Sequence, residues 1–422
     1  MASSSSSVII HFFILSLSLF SLSSLSASSQ PHSFILPIRK DPSTNLFYTS
    51  LGIGTPRTNF NLAIDLGGEN LWYDCDTHYN SSSYTPIHCD SKQCPEIGCM
   101  GCNGPFKPGC TNNTCPSPAL NSFAKFIYGG GLGQDFIFIS QTKVSGLLSS
   151  CIDTDSFPSF TGNESALNGL PKNTKGIIGL SRSNLSLPKQ LALKNKLPPR
   201  FSLCLPSSNK QGYTNLLAGS DDKFSKFVQT TPLIVNPFST GPVSVKGVSS
   251  NEYFIDVKAV KIDGQVLNLK PSLLSLNKKG NGGTKISTLT PFTELHTTVY
   301  KPFIRDFLKK ASDRKLKRVK SVAPFEACFD STSIVKSLPR VDLVLQKDVQ
   351  WTIHETNLLV NVRKNVACVG IVDGGTESRM SFTKPSIVIG GHQLVDNLLV
   401  FDLSSSKLSF SSSLLVHNAS CS

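Results

Sequence analysis

Charge is what this chain has least of: of 422 residues, only 16% are Asp, Glu, Lys or Arg. Acids are scarcer than bases, 28 against 41, which leaves a net charge of +13 and a pI near 9.2. That excess favours acidic partners such as cell-wall polyanions, acidic proteins or membrane surfaces. Long apolar runs are missing too. The stretch from Val8 to Phe20 is too short to span a bilayer, and no later stretch could. Helical patterning is confined to two pieces, Pro188 to Asn195 and Thr297 to about Ser312.

What remains is short β-rich runs broken by Gly, Pro, Asn and Ser. With 39% hydrophobic residues, 30 Gly and 25 Pro, the chain reads as folded and rich in loops. Its length exceeds one typical core, so two lobes are expected. Residues 1–29 are Ser-rich around the Val8 to Phe20 run, with Ala27 and Ser29 as small residues for cleavage. They read as a secretory signal peptide, although its first residues lack Lys and Arg. Secretion makes nucleic acid an unlikely partner.

The even count of 12 cysteines then implies disulfides: Cys75, Cys89, Cys94, Cys99, Cys102, Cys110, Cys115, Cys151, Cys204, Cys328, Cys368 and Cys421. Seven of them fall in 75–115, and Cys99-x-x-Cys102 has zinc-like spacing, but an exported chain favours disulfides there. Sequons at Asn80, Asn112, Asn163, Asn184 and Asn418 are candidate glycan sites on surface loops. No cofactor or metal is implied.

The chain turns around Ala63-Ile64-Asp65-Leu66-Gly67-Gly68-Glu69-Asn70-Leu71-Trp72. An apolar run ends in one carboxylate, and two glycines allow a tight loop behind it. A carboxylate there can accept backbone N–H bonds and stay ionised. Taken alone, Asp65 reads equally as a turn residue.

From Asp65 to Trp72 the sequence resembles the first catalytic loop of pepsin-like aspartic proteases, Asp-Thr-Gly-Ser-x-Asn-Leu-Trp, with Leu66 where the family has Thr. Gly176 to Leu180 and Ile387 to Gly390 resemble the apolar-apolar-Gly stretches that back the two loops. The resemblance runs from about residue 34 to the C-terminus. It implies an all-β, bilobal pepsin-like fold with a few short helices, one lobe over 30–225 with a Cys-rich insert at 75–115, the other over 226–422.

The second loop, Gly283-Thr284-Lys285-Ile286-Ser287-Thr288-Leu289-Thr290, matches Gly-Thr-x-x-Asp-Ser/Thr-Gly-Thr with two losses. Ser287 stands where the second Asp belongs, and Leu289 fills the place of a glycine that leaves room for substrate. Peptide hydrolysis in this family needs two carboxylates sharing a proton around a water. A serine hydroxyl cannot act as that acid or base. A serine nucleophile would need a base, and the nearest His in sequence, His296, falls at the start of the following helix. Tyr128-Gly129-Gly130-Gly131 begins like the family's flap, yet Leu132 to Asp135 already looks like the next strand. The flap tip is then too short, and Tyr128 has an equal reading as a plain strand residue.

These losses together resemble an inactive plant branch: extracellular dermal glycoprotein, basic 7S globulins, and inhibitors of xyloglucan endoglucanases and xylanases. Ala323 to Cys328, Val372 to Gly375 and Ile389 to Asn397 carry further matching words. The resemblance implies disulfides Cys75–Cys151, Cys204–Cys421 and Cys328–Cys368, with the other six cysteines closing the insert locally. It implies a secreted apoplastic protein without protease activity, whose partner is a glycoside hydrolase engaged by loops of the second lobe. Lys336 or Arg340 in the short 333–340 loop, and His417 shortly before Cys421, are the candidate inhibitory contacts. A glycan on Asn418 would hinder such docking, and His417 also reads as an ordinary exposed residue. Storage or defence globulins, ligand binders and residual endopeptidases are the alternatives. The basic run Arg305, Lys309, Lys310, Arg314, Lys315, Lys317, Arg318 and Lys320 reads as a solvated face, or as a docking surface for acidic polysaccharide or an acidic hydrolase.

Overall fold

The computed structural model describes residues 33–422 apart from 76–78, 95–97, 103, 124–126, 153–164, 218–221, 241–246, 335–337 and 378–382. The signal-peptide expectation for 1–29, the Asn163 sequon and Lys336 therefore lie outside the described residues.

The strand Thr58–Asp65 starts half-exposed and ends almost wholly buried. That follows its polar–apolar alternation giving way to Leu62-Ala63-Ile64. Its end lies parallel to Gly176–Gly179, which pairs antiparallel with Leu71–Asp74. The short apolar strand is thus threaded between the two strands that flank the loop 66–70. The second half repeats this arrangement: Thr284–Ile286 runs parallel to Ile387–Ile389, which pairs antiparallel with Thr293–Leu295.

Each threaded strand ends in a glycine because backbone crosses it. A Cβ on Gly179 would stand 2.4 Å from Gly68 O, and one on Gly390 would stand 2.3 Å from the Phe292 carbonyl carbon. No side chain fits at either place.

A floor of six strands joins the halves in the order Phe34–Lys40, Gly212–Leu216, Arg200–Cys204, Leu398–Asp402, Lys407–Phe410 and Gln229–Ile234. Phe201 and Phe401, opposite each other in register, stack with ring centroids 4.8 Å apart. The main core runs from Phe47 and Leu62 through these rings to Phe303, Phe307 and Phe410.

The two expected helices form as Leu187–Asn195 and Thr297–Asp313. The longer one buries Val299, Tyr300, Phe303, Ile304, Phe307 and Ala311, so its basic residues fall on the outer side. Among the described residues, no helix is long and apolar enough to cross a membrane.

All twelve cysteines are in disulfides, with Cys75–Cys151, Cys204–Cys421 and Cys328–Cys368 as the long-range bonds. Cys89–Cys99, Cys94–Cys115 and Cys102–Cys110 close the insert. Cys99 and Cys102 are thus spent in separate bonds, which closes the zinc alternative.

Candidate functional site

The two loops meet at the wall of a cleft of about 430 Å³ that Asp65 and Ser287 both line. Asp65 Oδ1 accepts the Gly67 N–H at 2.8 Å. Burial pushes its carboxyl up to about 6, opposed by that N–H bond and by Lys285, and Glu252 adds to the rise. No second acid shares its proton at the position of Ser287. The Ser287 hydroxyl instead accepts from the N–H and hydroxyl of Thr290, at 3.2 and 3.1 Å. It is tied into its own turn. His296 caps the helix Thr297–Asp313 by accepting the Thr298 N–H and is not among the residues lining the cleft.

Thr288 braces the second loop against the first. Its Oγ1 accepts the Leu66 N–H at 3.0 Å and donates to Ile64 O at 2.7 Å, across more than 220 residues of sequence. Leu66 has no hydroxyl to return the bond and is fully buried. Only one of two symmetric braces can therefore form.

Leu289 is buried with Trp72, Tyr128 and Ile177 while still lining the cleft. The substituted position thus carries apolar packing where the family keeps a bare backbone. An ion pair between Lys285 and Glu252 also lines the cleft, with both side chains mostly buried. Sequence reading missed this pair. Lys285 lies within the quoted loop, but nothing nearby in sequence signals Glu252.

The flap expectation needs correction. Tyr128 belongs to the returning strand of a small hairpin, Ala119–Leu120 with Ile127–Tyr128, and is buried. Earlier in the chain than Tyr128, Leu120, Ser122 and Phe123 line the cleft. Trp72 Nε1 donates to Leu120 O at 3.2 Å and Asn70 Nδ2 to Ser117 Oγ at 2.9 Å, so the signature Asn and Trp hold the hairpin. The base of the hairpin is held from the side of the first loop rather than by the glycines after Tyr128, which is why the Tyr-Gly word misplaced it.

In the second half, Val341 pairs with Ile353, so Arg340 and His354 stand at adjacent strand ends. Burial depresses the His354 imidazole, Asp342 opposes this, and His417 and Arg340 add to the depression. Arg340 Nε bonds Asp342 Oδ2 at 3.0 Å; Asp342 is fully buried, whereas the arginine side chain stays 60% exposed. His417 is exposed and stacks on Phe227 with ring centroids 4.1 Å apart. Asn418, exposed and left-handed at φ 55°, follows it. Asn80, Asn112 and Asn184 are exposed as well. Within the basic run, Lys310 and Arg314 are half-buried and the rest exposed. Arg314 pairs with Asp263 at 2.7 Å and donates to Leu338 O at 3.0 Å, anchoring the 333–340 loop to the long helix.

A bilobal pepsin-like fold whose paired loops carry Asp65 at one position and Ser287 at the other defines the class, and comparison with known proteins narrows it. Residues 47–219 match the family model described as xylanase inhibitor N-terminal, and residues 252–412 the one described as xylanase inhibitor C-terminal. The chain belongs to this family. It is 39% identical over 435 residues to the Nicotiana benthamiana protein named "Probable aspartic proteinase GIP2", covering 97% of this chain and 96% of that one. It is 33% identical over 442 residues to basic 7S globulin of Glycine max, covering 98% and 97%. The crystal structure of edgp superposes with a TM-score of 0.85 at 37% identity, over 93% of this chain and 97% of that one.

Proposed function

We propose that this chain is secreted to the apoplast, hydrolyses no peptide bonds, and binds and inhibits a glycoside hydrolase, with xyloglucan endoglucanases and xylanases as target classes. The observation that carries this reading is the Arg340 guanidinium, left exposed while buried Asp342 holds its Nε, at the loop where the family resemblance puts an inhibitory contact. A glycoside hydrolase presents two carboxylates in a groove. An exposed guanidinium suits such a pair. The loss of protease chemistry is supported by Ser287, whose hydroxyl is held by Thr290 where a carboxylate would be needed.

The exposed sequon at Asn418 favours a second reading, a storage or defence globulin without inhibition, because a glycan there would stand over His417. Inhibition of a xylanase and a xyloglucanase by wild type, Arg340→Ala, His417→Ala and Asn418→Gln separates the two. Inhibition weakened by the first two substitutions, and kept or strengthened by the third, is expected. Absence of any hydrolase binding, even in Asn418→Gln, would leave the globulin reading.

A further inference from the structure

The basic run ending at Lys320 acquires neighbours that sequence order hides. Arg318–Val319, Cys328–Asp330, Val366–Val369 and Leu359–Arg363 form a four-stranded sheet in that order. Arg318 stands opposite Phe329, Phe329 opposite Ala367, and Arg363 opposite Val366. The Asp330 N–H donates to Lys317 O at 2.9 Å, and the Ser331 N–H to Asn365 O at 3.0 Å. The Lys317–Arg318 segment and the Arg363-Lys364-Asn365 turn therefore meet at one end of this sheet.

Lys317, Arg318, Lys320, Arg363 and Lys364 are all exposed. Asp330 and Glu326 are the acids along these segments. Asp330 reaches Lys317 only at 3.5 Å, with the lysine 72% exposed, so the pair neutralises little. Cys328 and Cys368, directly opposite each other on the two central strands, are cross-linked. The spacing between the two cation groups is thereby fixed before any ligand arrives, which lowers the ordering cost of binding.

The patch also lacks what other partners need. Among the described residues, every large exposed hydrophobic side chain lies elsewhere in the chain, at positions such as Phe106, Phe238 and Val416. A protein partner has no apolar anchor here, and a nucleic acid has no ring on which to stack bases.

We propose that this end of the sheet is a docking site for an acidic polysaccharide, a linear polyuronate carrying one carboxylate per sugar. Arginine forks and lysine point charges match a row of carboxylates, and binding by charge alone is salt-sensitive.

The test uses the full chain and polygalacturonate as probe. Lys317→Gln/Arg318→Gln/Arg363→Gln/Lys364→Gln is compared with an equal charge loss at the exposed Lys172, Lys194, Lys210 and Lys270, each changed to Gln. The first variant should lose roughly tenfold or more in affinity at low ionic strength and show a shallower salt dependence, with an unchanged melting curve. The second should bind like wild type, as should Arg340→Ala and His417→Ala, which separates this site from hydrolase docking. Equal losses in both quadruple variants would reduce the effect to net charge and overturn the proposal. So would equal binding of the fully methyl-esterified polymer, tighter binding of single-stranded RNA, or no binding of polygalacturonate.

Discussion

At the scale of single residues, the paired loops carry the Asp65 carboxylate with Ser287 at the matching position, and two outcomes follow. Casein digestion at acidic pH should stay at background in wild type and in Ser287→Asp. The new carboxylate would still sit beside Leu66 and Leu289, and positional errors near 1 Å cost about 10²-fold. Pepstatin-sensitive turnover by either protein would contradict this. The second outcome concerns protons. The fold raises the Asp65 carboxyl to about 6, so the native state holds that proton more tightly than the unfolded chain. Stability therefore falls as pH rises from about 4 to about 6. His392 works in the opposite sense. It is buried, with Nε2 at 2.9 Å from Leu359 O, and burial pushes it down to about 4. Stability from His392 is lost as pH falls from about 6.5 to about 4. Asp65→Asn should stabilise the protein at pH 7 by about 1–3 kcal/mol and change little at pH 4. Denaturant melts at the two pH values check this, and an equal effect at both would refute it.

At the scale of elements, the threaded strands and the loops they back form the frame of the site. Gly390→Ala would drive a methyl into the Phe292 backbone and should cost about 2–4 kcal/mol in a urea melt. Thr288→Val removes both cross-loop bonds and leaves the buried Leu66 N–H without its acceptor, for about 2–3 kcal/mol. A loss under about 0.5 kcal/mol in the same melt would show that the brace is dispensable. This frame was legible in the sequence because local words encode it: apolar run, Asp, paired glycines, and a glycine closing each backing strand. The long helix was legible for the same reason, since its apolar positions repeat along one side. The flap was not, because the base of its hairpin is held by Trp72 and Asn70 from a distant part of the chain. The Glu252–Lys285 pair was equally hidden. Each joins residues brought together only by the fold.

At the scale of the whole molecule, the halves are locked by strand pairing, ring stacking and one covalent bond. Cys204–Cys421 closes a loop with a sequence separation of 217, so opening it frees a large denatured ensemble. Cys204→Ser/Cys421→Ser should lose about 3–5 kcal/mol, read by denaturant titration, with the other five bonds intact by non-reducing mass mapping. A loss below about 1 kcal/mol would mean that the six-stranded floor alone holds the halves.

That floor also orders events in time. A chain grows from its N-terminus, yet Arg200–Cys204 takes one of its two strand neighbours from Leu398–Asp402. The earlier half therefore waits, with an open strand edge, until nearly the last residues have been made. Truncation after about residue 395 should therefore leave both halves unfinished, not merely the later one. Helpers that shield that edge during synthesis would govern yield more than any local helix or turn.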